Sequence, residues 1–232
     1  MLRIKQLSLA FVGLLSCISS VDVACAQGGG GGRGPGRGQQ TRTRFELATL
    51  PEVQSELKLT EEQKKLASEQ LAKLREKQAA MAPAGGGGGG GGGAAMQAAR
   101  AEMQKMGAEL DATFSAKLDD AQKTRMHGLI AQVNGAAALM DTAIAKALEI
   151  TDEQTAKLKA ANEANQAARR EAMAGAQNMS QEERAEAMAK MATEQTKALM
   201  AVLTESQTKK LETLKGAALT IDMAPLRPAR RQ

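Results

Sequence analysis

Four short segments of this 232-residue chain share one pattern, and no other feature constrains the fold as strongly. They are Leu59-Thr60-Glu61-Glu62-Gln63, Leu118-Asp119-Asp120-Ala121-Gln122, Ile150-Thr151-Asp152-Glu153-Gln154 and Leu203-Thr204-Glu205-Ser206-Gln207. In each, a Thr or Asp oxygen can take an orphan backbone N–H, and the Gln three residues on can reach back to the cap's own N–H. Acids in the first turn favour the positive end of the helix dipole. Each box therefore starts a helix, and each cap contributes about 1 kcal/mol. Ser180-Gln181-Glu182-Glu183 is a fifth box, of the ordinary S-x-x-E kind.

Their order implies a duplication. Gln63 and Gln122 are 59 positions apart, Gln154 and Gln207 are 53 apart, and a short apolar-patterned helix precedes the first box of each pair. Leu50, Val53 and Leu57 form one such pattern, and Met140, Ile144 and Leu148 the other. Downstream, Met126, Leu129, Ile130 and Val133 parallel Leu211, Leu214 and Ala218. Each half reads short helix, long helix, tip, long helix, short helix. The difference of six falls at the tip. Half two turns near Gly175 to Ser180, whereas half one inserts Pro83 and the glycine run Gly85 to Gly93. Nine glycines inside a helix would cost about 1 kcal/mol each relative to Ala, so the run is a loop. Doubling a loop costs only about 0.6 kcal/mol, so the insertion is tolerated and reads as spacer.

The long helices carry apolar stripes at three-four spacing. Ala67, Leu71, Leu74, Gln78 and Met81 mark one, and Met96, Ala99, Met103, Met106, Leu110 and Phe114 its partner. Met188, Met191, Leu199 and Val202 do the same in half two, whereas 152–174 is thinner, with Leu158, Ala161, Ala168 and Ala172 but Asn165 in the seam. The expected fold is all-α: two tandem helical-hairpin units, 45–135 with a Gly-rich tip at 83–95 and 136–216, extended or cradle-like. Alanine buries little area, so such hairpins should be marginal alone and should want each other or a second chain.

Composition narrows function. Arg3 and Lys5 precede an apolar stretch from Leu7 to Ile18, too short to span a bilayer, and Ala24-Cys25-Ala26 supplies a small-x-small cleavage site. The expectation is a signal peptide, 1–26, cleaved before Gln27, and export to the periplasm or beyond; lipoprotein processing at Cys17 is the weaker rival. Both cysteines then leave with the signal, so the mature part has no disulfide and no thiol nucleophile. It has no Trp or Tyr, a single His127 and only Phe45 and Phe114, too little for the apolar pocket that shifts catalytic carboxylates or for a His/Cys transition-metal site. No catalytic residue, cofactor-binding residue or metal ligand is assigned, and a non-enzyme is expected. No later stretch of about 18 apolar residues exists, so no membrane span is expected after signal removal.

The net charge of +5 comes from the ends. Without Arg3, Lys5 and Asp22 it is +4; Arg33, Arg37, Arg42 and Arg44 in 27–44 supply +4, the tail 217–232 supplies +2, and 45–216 is left at about −2. The Gly/Arg stretch 27–44 is expected to be a disordered linker and 217–232 a flexible basic tail. Clustered Arg can hold phosphate, but with no aromatics interleaved a spacer is the preferred reading and specific nucleic-acid binding is not expected. His127, beside the stripe of its helix, reads as a packing residue.

A Leu-Thr-x-x-Gln box opening helices in a small exported all-helical chain resembles the Spy/CpxP family of periplasmic chaperones and stress-response proteins. The resemblance covers about 45–216 and treats each half as one family-like unit, the capping positions being Thr60, Gln63, Asp119, Gln122, Thr151, Gln154, Thr204 and Gln207. It implies an ATP-independent chaperone that binds unfolded or envelope proteins. The family's cradle is typically basic and this body is not, which departs from client binding by charge. Flexible, polarizable Met103, Met106, Met188 and Met191, with Leu110, then make the candidate apolar binding surface, with core packing as their plainer reading. Two further readings stand beside it: a structural or assembly protein of the envelope acting by helix–helix association, including self-association, and a Cu(I) binder using Met103-x-x-Met106 and Met188-x-x-Met191.

Overall fold

The computed structural model of the chain describes residues 41–81, 93–175 and 179–226. The expected signal peptide, the linker as far as 40, the glycine tip 82–92 and the last six residues lie outside them, as does the Met96 side chain. The described residues are all-α, with no strand among them. In chain order they form α1 (Arg44–Leu47), α2 (Pro51–Glu56), α3 (Glu61–Met81), α4 (Gly93–Ser115), α5 (Asp120–Asn134), a 3₁₀ turn (Gly135–Met140), α6 (Thr142–Ala147), α7 (Asp152–Gly175), α8 (Gln181–Met200), α9 (Glu205–Lys215) and a last 3₁₀ turn (Ala224–Leu226).

The helices begin and end where local chemistry dictates. Pro51 opens α2 at a position where its missing N–H costs nothing. The turn from α2 into α3 needs a left-handed residue, supplied by Lys58 at φ 49°, and the turn from α6 into α7 uses Glu149 at φ 54°. Both complete a Schellman cap: Leu59 N–H reaches Gln54 O and Lys58 N–H reaches Ser55 O, while Ile150 N–H reaches Ala145 O and Glu149 N–H reaches Lys146 O. After α5 and α9 the positive-φ residue is a glycine, Gly135 (φ 56°) and Gly216 (φ 64°), whose N–H reaches Ala131 O and Glu212 O respectively.

Packing pairs α3 with α4, α7 with α8, and α5 with α9. α1 lies across α3 and α4, and the 3₁₀ turn Gly135–Met140 lies across α7 and α8, each covering the base of a hairpin. One core fills the space where these pieces meet: Phe45, Leu50, Phe114, Met126, Leu129, Ile130, Leu139, Ile144 and Leu148 are all buried, and Leu158, Leu199 and Leu211 extend it. Gly128 permits the α5–α9 approach, since a Cβ there would stand 2.3 Å from Leu214 O. The end of α9 is then held by α5, whose Arg125 and Gln132 both donate to Lys215 O. Residues of both halves belong to one compact unit, so the sequence boundary at 135/136 is not a break between separately packed bodies.

Two sequence boundaries move. The fold starts before 45, because Thr43 N–H donates to Glu46 Oε2 at 2.9 Å and Arg44 is buried, so residues expected in the linker belong to the body. The expected flexible tail is packed as far as Leu226, which is 5% exposed, with Leu219, Ile221 and Met223 against the core. Apolar side chains at 219, 221, 223 and 226 hold this segment down in spite of the arginines that follow it.

Candidate functional site

The four boxes meet in two pairs. In the first, Thr60 N–H donates to Gln63 Oε1 (2.9 Å) and Asp119 N–H to Gln122 Oε1 (3.0 Å), while each Gln backbone N–H donates to its cap oxygen, Thr60 Oγ1 or Asp119 Oδ1. Beyond this local capping, the two side-chain amides face one another. Gln63 Nε2 donates to Gln122 Oε1 (2.8 Å) and Gln122 Nε2 to Gln63 Oε1 (3.2 Å). Their remaining protons go to carbonyls at the ends of the opposing helices, Gln63 to Lys117 O (2.8 Å) and Gln122 to Leu57 O (3.1 Å). Each amide thus uses two donors and two acceptor positions, its full capacity, and both side chains are buried.

The second pair repeats this. Thr151 and Thr204 cap α7 and α9 with Gln154 and Gln207, whose amides exchange hydrogen bonds of 2.7 and 2.9 Å. Gln154 reaches Val202 O (2.9 Å) and Gln207 reaches Glu149 O (3.2 Å). Each clasp ties the start of a hairpin's first long helix to the helix that follows its second, at the hairpin base. The sequence shows the Gln as a local cap. Its second face, turned to the partner box, becomes visible only when the hairpin closes.

A second polar cluster has no counterpart in the expected site. Arg44, 7% exposed, reaches Asp111 Oδ2 on α4 (2.5 Å) and Asp141 Oδ1 at the start of α6 (2.7 Å), and its backbone N–H donates to Asp111 Oδ1 (2.6 Å). Asp141 Oδ1 also caps α6 through Ala143 and Ile144 N–H. Burial opposes its charge, but the Arg44 hydrogen bond, the Arg44 charge and those amides outweigh it and hold the carboxyl below the ordinary aspartate value. Arg44 itself sits above its ordinary value, burial being overcome by the two aspartates. Half-buried His127 is pushed below the usual histidine value, first by burial and then by Arg44. The cluster binds α1, α4 and α6 and so bridges both halves. Its one signal in the sequence is Asp111, a carboxylate on the stripe between Leu110 and Phe114.

The apolar candidates divide. Met103 and Leu110 are partly buried and pack against the core, whereas Met106, Met188 and Met191 are half-buried along the hairpins. Between Leu158 and Leu199 no described side chain is buried, so the arm made by α7 and α8 is a bare two-helix hairpin beyond its base. Large hydrophobics that count as exposed are few among the described residues: Met140 at 40% and Met179 at 39%. A shallow hollow of about 500 Å³ opens beside the first clasp, lined by Thr60, Glu62, Gln63, Leu66 and Lys117 among others. Among the described residues no group of three or more His, Cys, Asp or Glu is placed to hold a metal ion, and no helix is long and apolar enough to cross a membrane.

No protein-family model, curated protein or solved structure matches this chain.

Proposed function

We propose that this chain is an exported, non-enzymatic helical binding protein of the Spy/CpxP-like kind, holding non-native or envelope polypeptides without nucleotide or cofactor. The observation that carries the reading is the hairpin arm of α7 and α8, which has no buried side chain among the described residues between Leu158 and Leu199 yet is clasped at its base by Gln154 and Gln207. A two-helix arm with an Ala/Met seam gains little from its own packing, and its half-buried Met188 and Met191 are adaptable apolar contacts for a partner that varies. The rigid base presents the arm; the soft arm meets the client. The test is light scattering from a chemically denatured client diluted into buffer with a near-equal amount of this protein and no nucleotide. Suppressed aggregation is the expected result, and unchanged aggregation counts against the reading.

One observation favours a second reading, a structural or assembly protein. Exposed large hydrophobics among the described residues are confined to Met140 and Met179, so half-buried seams can be completed by a second helical arm rather than by a client. Sedimentation gives the distinction: assembly through the arms predicts a concentration-dependent mass that falls when Met188 and Met191 are replaced by Ser.

A further inference from the structure

The segment after α9 is held in an unusual way. Ala217 O accepts from Arg125 Nη2 (2.9 Å) and Gln132 Nε2 (2.9 Å), Leu219 N–H donates to Gln132 Oε1 (3.1 Å), and Pro225 O accepts from Arg75 Nη2 on α3 (3.1 Å). These bonds tie 217–226 to α5 and α3, and every one is made to the segment's main chain. Side-chain specificity is left to apolar burial alone: Leu226 is buried, and Leu219, Ile221 and Met223 are partly buried against the core. Grips on carbonyls and amides combined with apolar pockets at alternate positions are the means by which a protein holds an extended peptide with little regard to sequence.

The corresponding segment of the first half is built in more firmly. Gly135-Ala-Ala-Ala-Leu-Met-Asp141 and Gly216-Ala-Ala-Leu-Thr-Ile-Asp222 start at left-handed glycines that end α5 and α9. Both end at an aspartate that caps the next turn, Asp141 Oδ1 accepting from Ala143 N–H and Asp222 Oδ1 from Ala224 N–H. The first copy buries Ala136, Ala138 and Leu139 and continues into α6. Among the described residues the second continues only into the short turn Ala224–Leu226, in which Ala224 and Pro225 are exposed and Leu226 is buried.

We propose that 217–226 is a displaceable internal occupant of a peptide-binding face formed by α3 and α5, and that the face takes extended apolar segments of non-native polypeptide in its place. The inference rests on the binding-protein reading above and adds to it the site and the form of the client. Being tethered, the strap competes at an effective concentration of about millimolar, so the unaltered chain binds a free peptide weakly.

The experiment uses a fluorescent peptide with the sequence of 217–226 and reads anisotropy. The full-length chain carrying Leu219→Ser, Ile221→Ser and Met223→Ser is expected to bind it at least tenfold more tightly than the unaltered chain. Adding Arg75→Ala, at an exposed position, should remove most of that gain. Equal affinity in unaltered and strap-weakened chains overturns the proposal, as does a concentration-dependent dimer formed by exchanged straps in place of peptide binding. Should the triple variant unfold, hydrogen exchange on the unaltered chain decides: saturating peptide must accelerate exchange at Leu219, and no change refutes the strap. Aggregation assays separate the two readings. Peptide binding without client protection sinks the chaperone and keeps the site, whereas client protection with a strap that never leaves does the reverse.

Discussion

Replacing Gln122 by Ala removes four hydrogen bonds: two shared with Gln63, one to Leu57 O and one from Asp119 N–H. The side chain is buried, so water does not readily replace it. At about 1 kcal/mol for each bond, the cost is about 3–4 kcal/mol. Gln63→Ala loses the same mutual pair along with its bonds to Lys117 O and from Thr60 N–H, and should cost as much. In the double variant the mutual pair is lost once, not twice. The combined cost should therefore fall short of the sum by about 1–2 kcal/mol. Urea unfolding followed by far-ultraviolet ellipticity on the four proteins measures this. A parallel cycle at Gln154 and Gln207, where Gln154 is only half-buried, should give the same sign and a smaller coupling. Gln122→Glu adds a check of a different kind. It keeps the acceptor for Asp119 but turns the donor facing Leu57 O into an oxygen, so the carboxyl's folded pKa lies above its unfolded one. Protonation then favours the folded state, and this variant alone should regain stability as the pH falls through the carboxylate range. Coupling within about 0.3 kcal/mol of zero at both pairs would refute the clasp and reduce each Gln to a local cap.

Gly128→Ala should cost about 2–3 kcal/mol and loosen the α5–α9 pairing, because its methyl would meet Leu214 O at 2.3 Å; thermal unfolding reads it. Lys58→Gly should raise the urea midpoint, by up to about 1 kcal/mol of stability, since Lys58 occupies a left-handed conformation that glycine adopts without strain. Arg44→Ala should cost about 3–5 kcal/mol at neutral pH by stranding Asp111 and Asp141 in a buried site. Asp141 has a depressed folded pKa, so its contribution is present above the unfolded aspartate value and is lost as the pH falls through the folded one. His127, also depressed, acts in the same direction at higher pH, and the unaltered chain should therefore weaken in acid. Arg44→Ala should show a flatter acid limb in unfolding curves taken across pH.

Much of the all-helical architecture is legible in the residues, because its signals are local. Caps and stripes each act over one or two turns, and the described helices start and pack where they point. What is not legible depends on distant pieces meeting. Gln63 is explained completely by Thr60 until Gln122 arrives from 59 positions away, so the clasp hides behind its own cap. Arg44 reads as the last charge of a Gly/Arg stretch, and only its two aspartates, 67 and 97 positions on, make it a core residue. The strap was concealed by composition: the arginines of 217–232 suggest a solvated tail, whereas the alternation of Leu219, Ile221 and Met223 is the pattern that packs. The left-handed Lys58 and Glu149 carry no signal at all, because neither is Gly or Asn.

The central claim is a rigid, clasped base that presents soft arms to a non-native partner, and hydrogen exchange on the full chain, alone and with an equal amount of unfolding client, tests it most directly. The account predicts that amides beside Gln63, Gln122 and Gln207 exchange slowest and that the middle of α7 and α8 exchanges fast. The client should slow the arms and leave the clasps unchanged. Clasps that exchange as fast as the arms, or arms indifferent to the client, would contradict it.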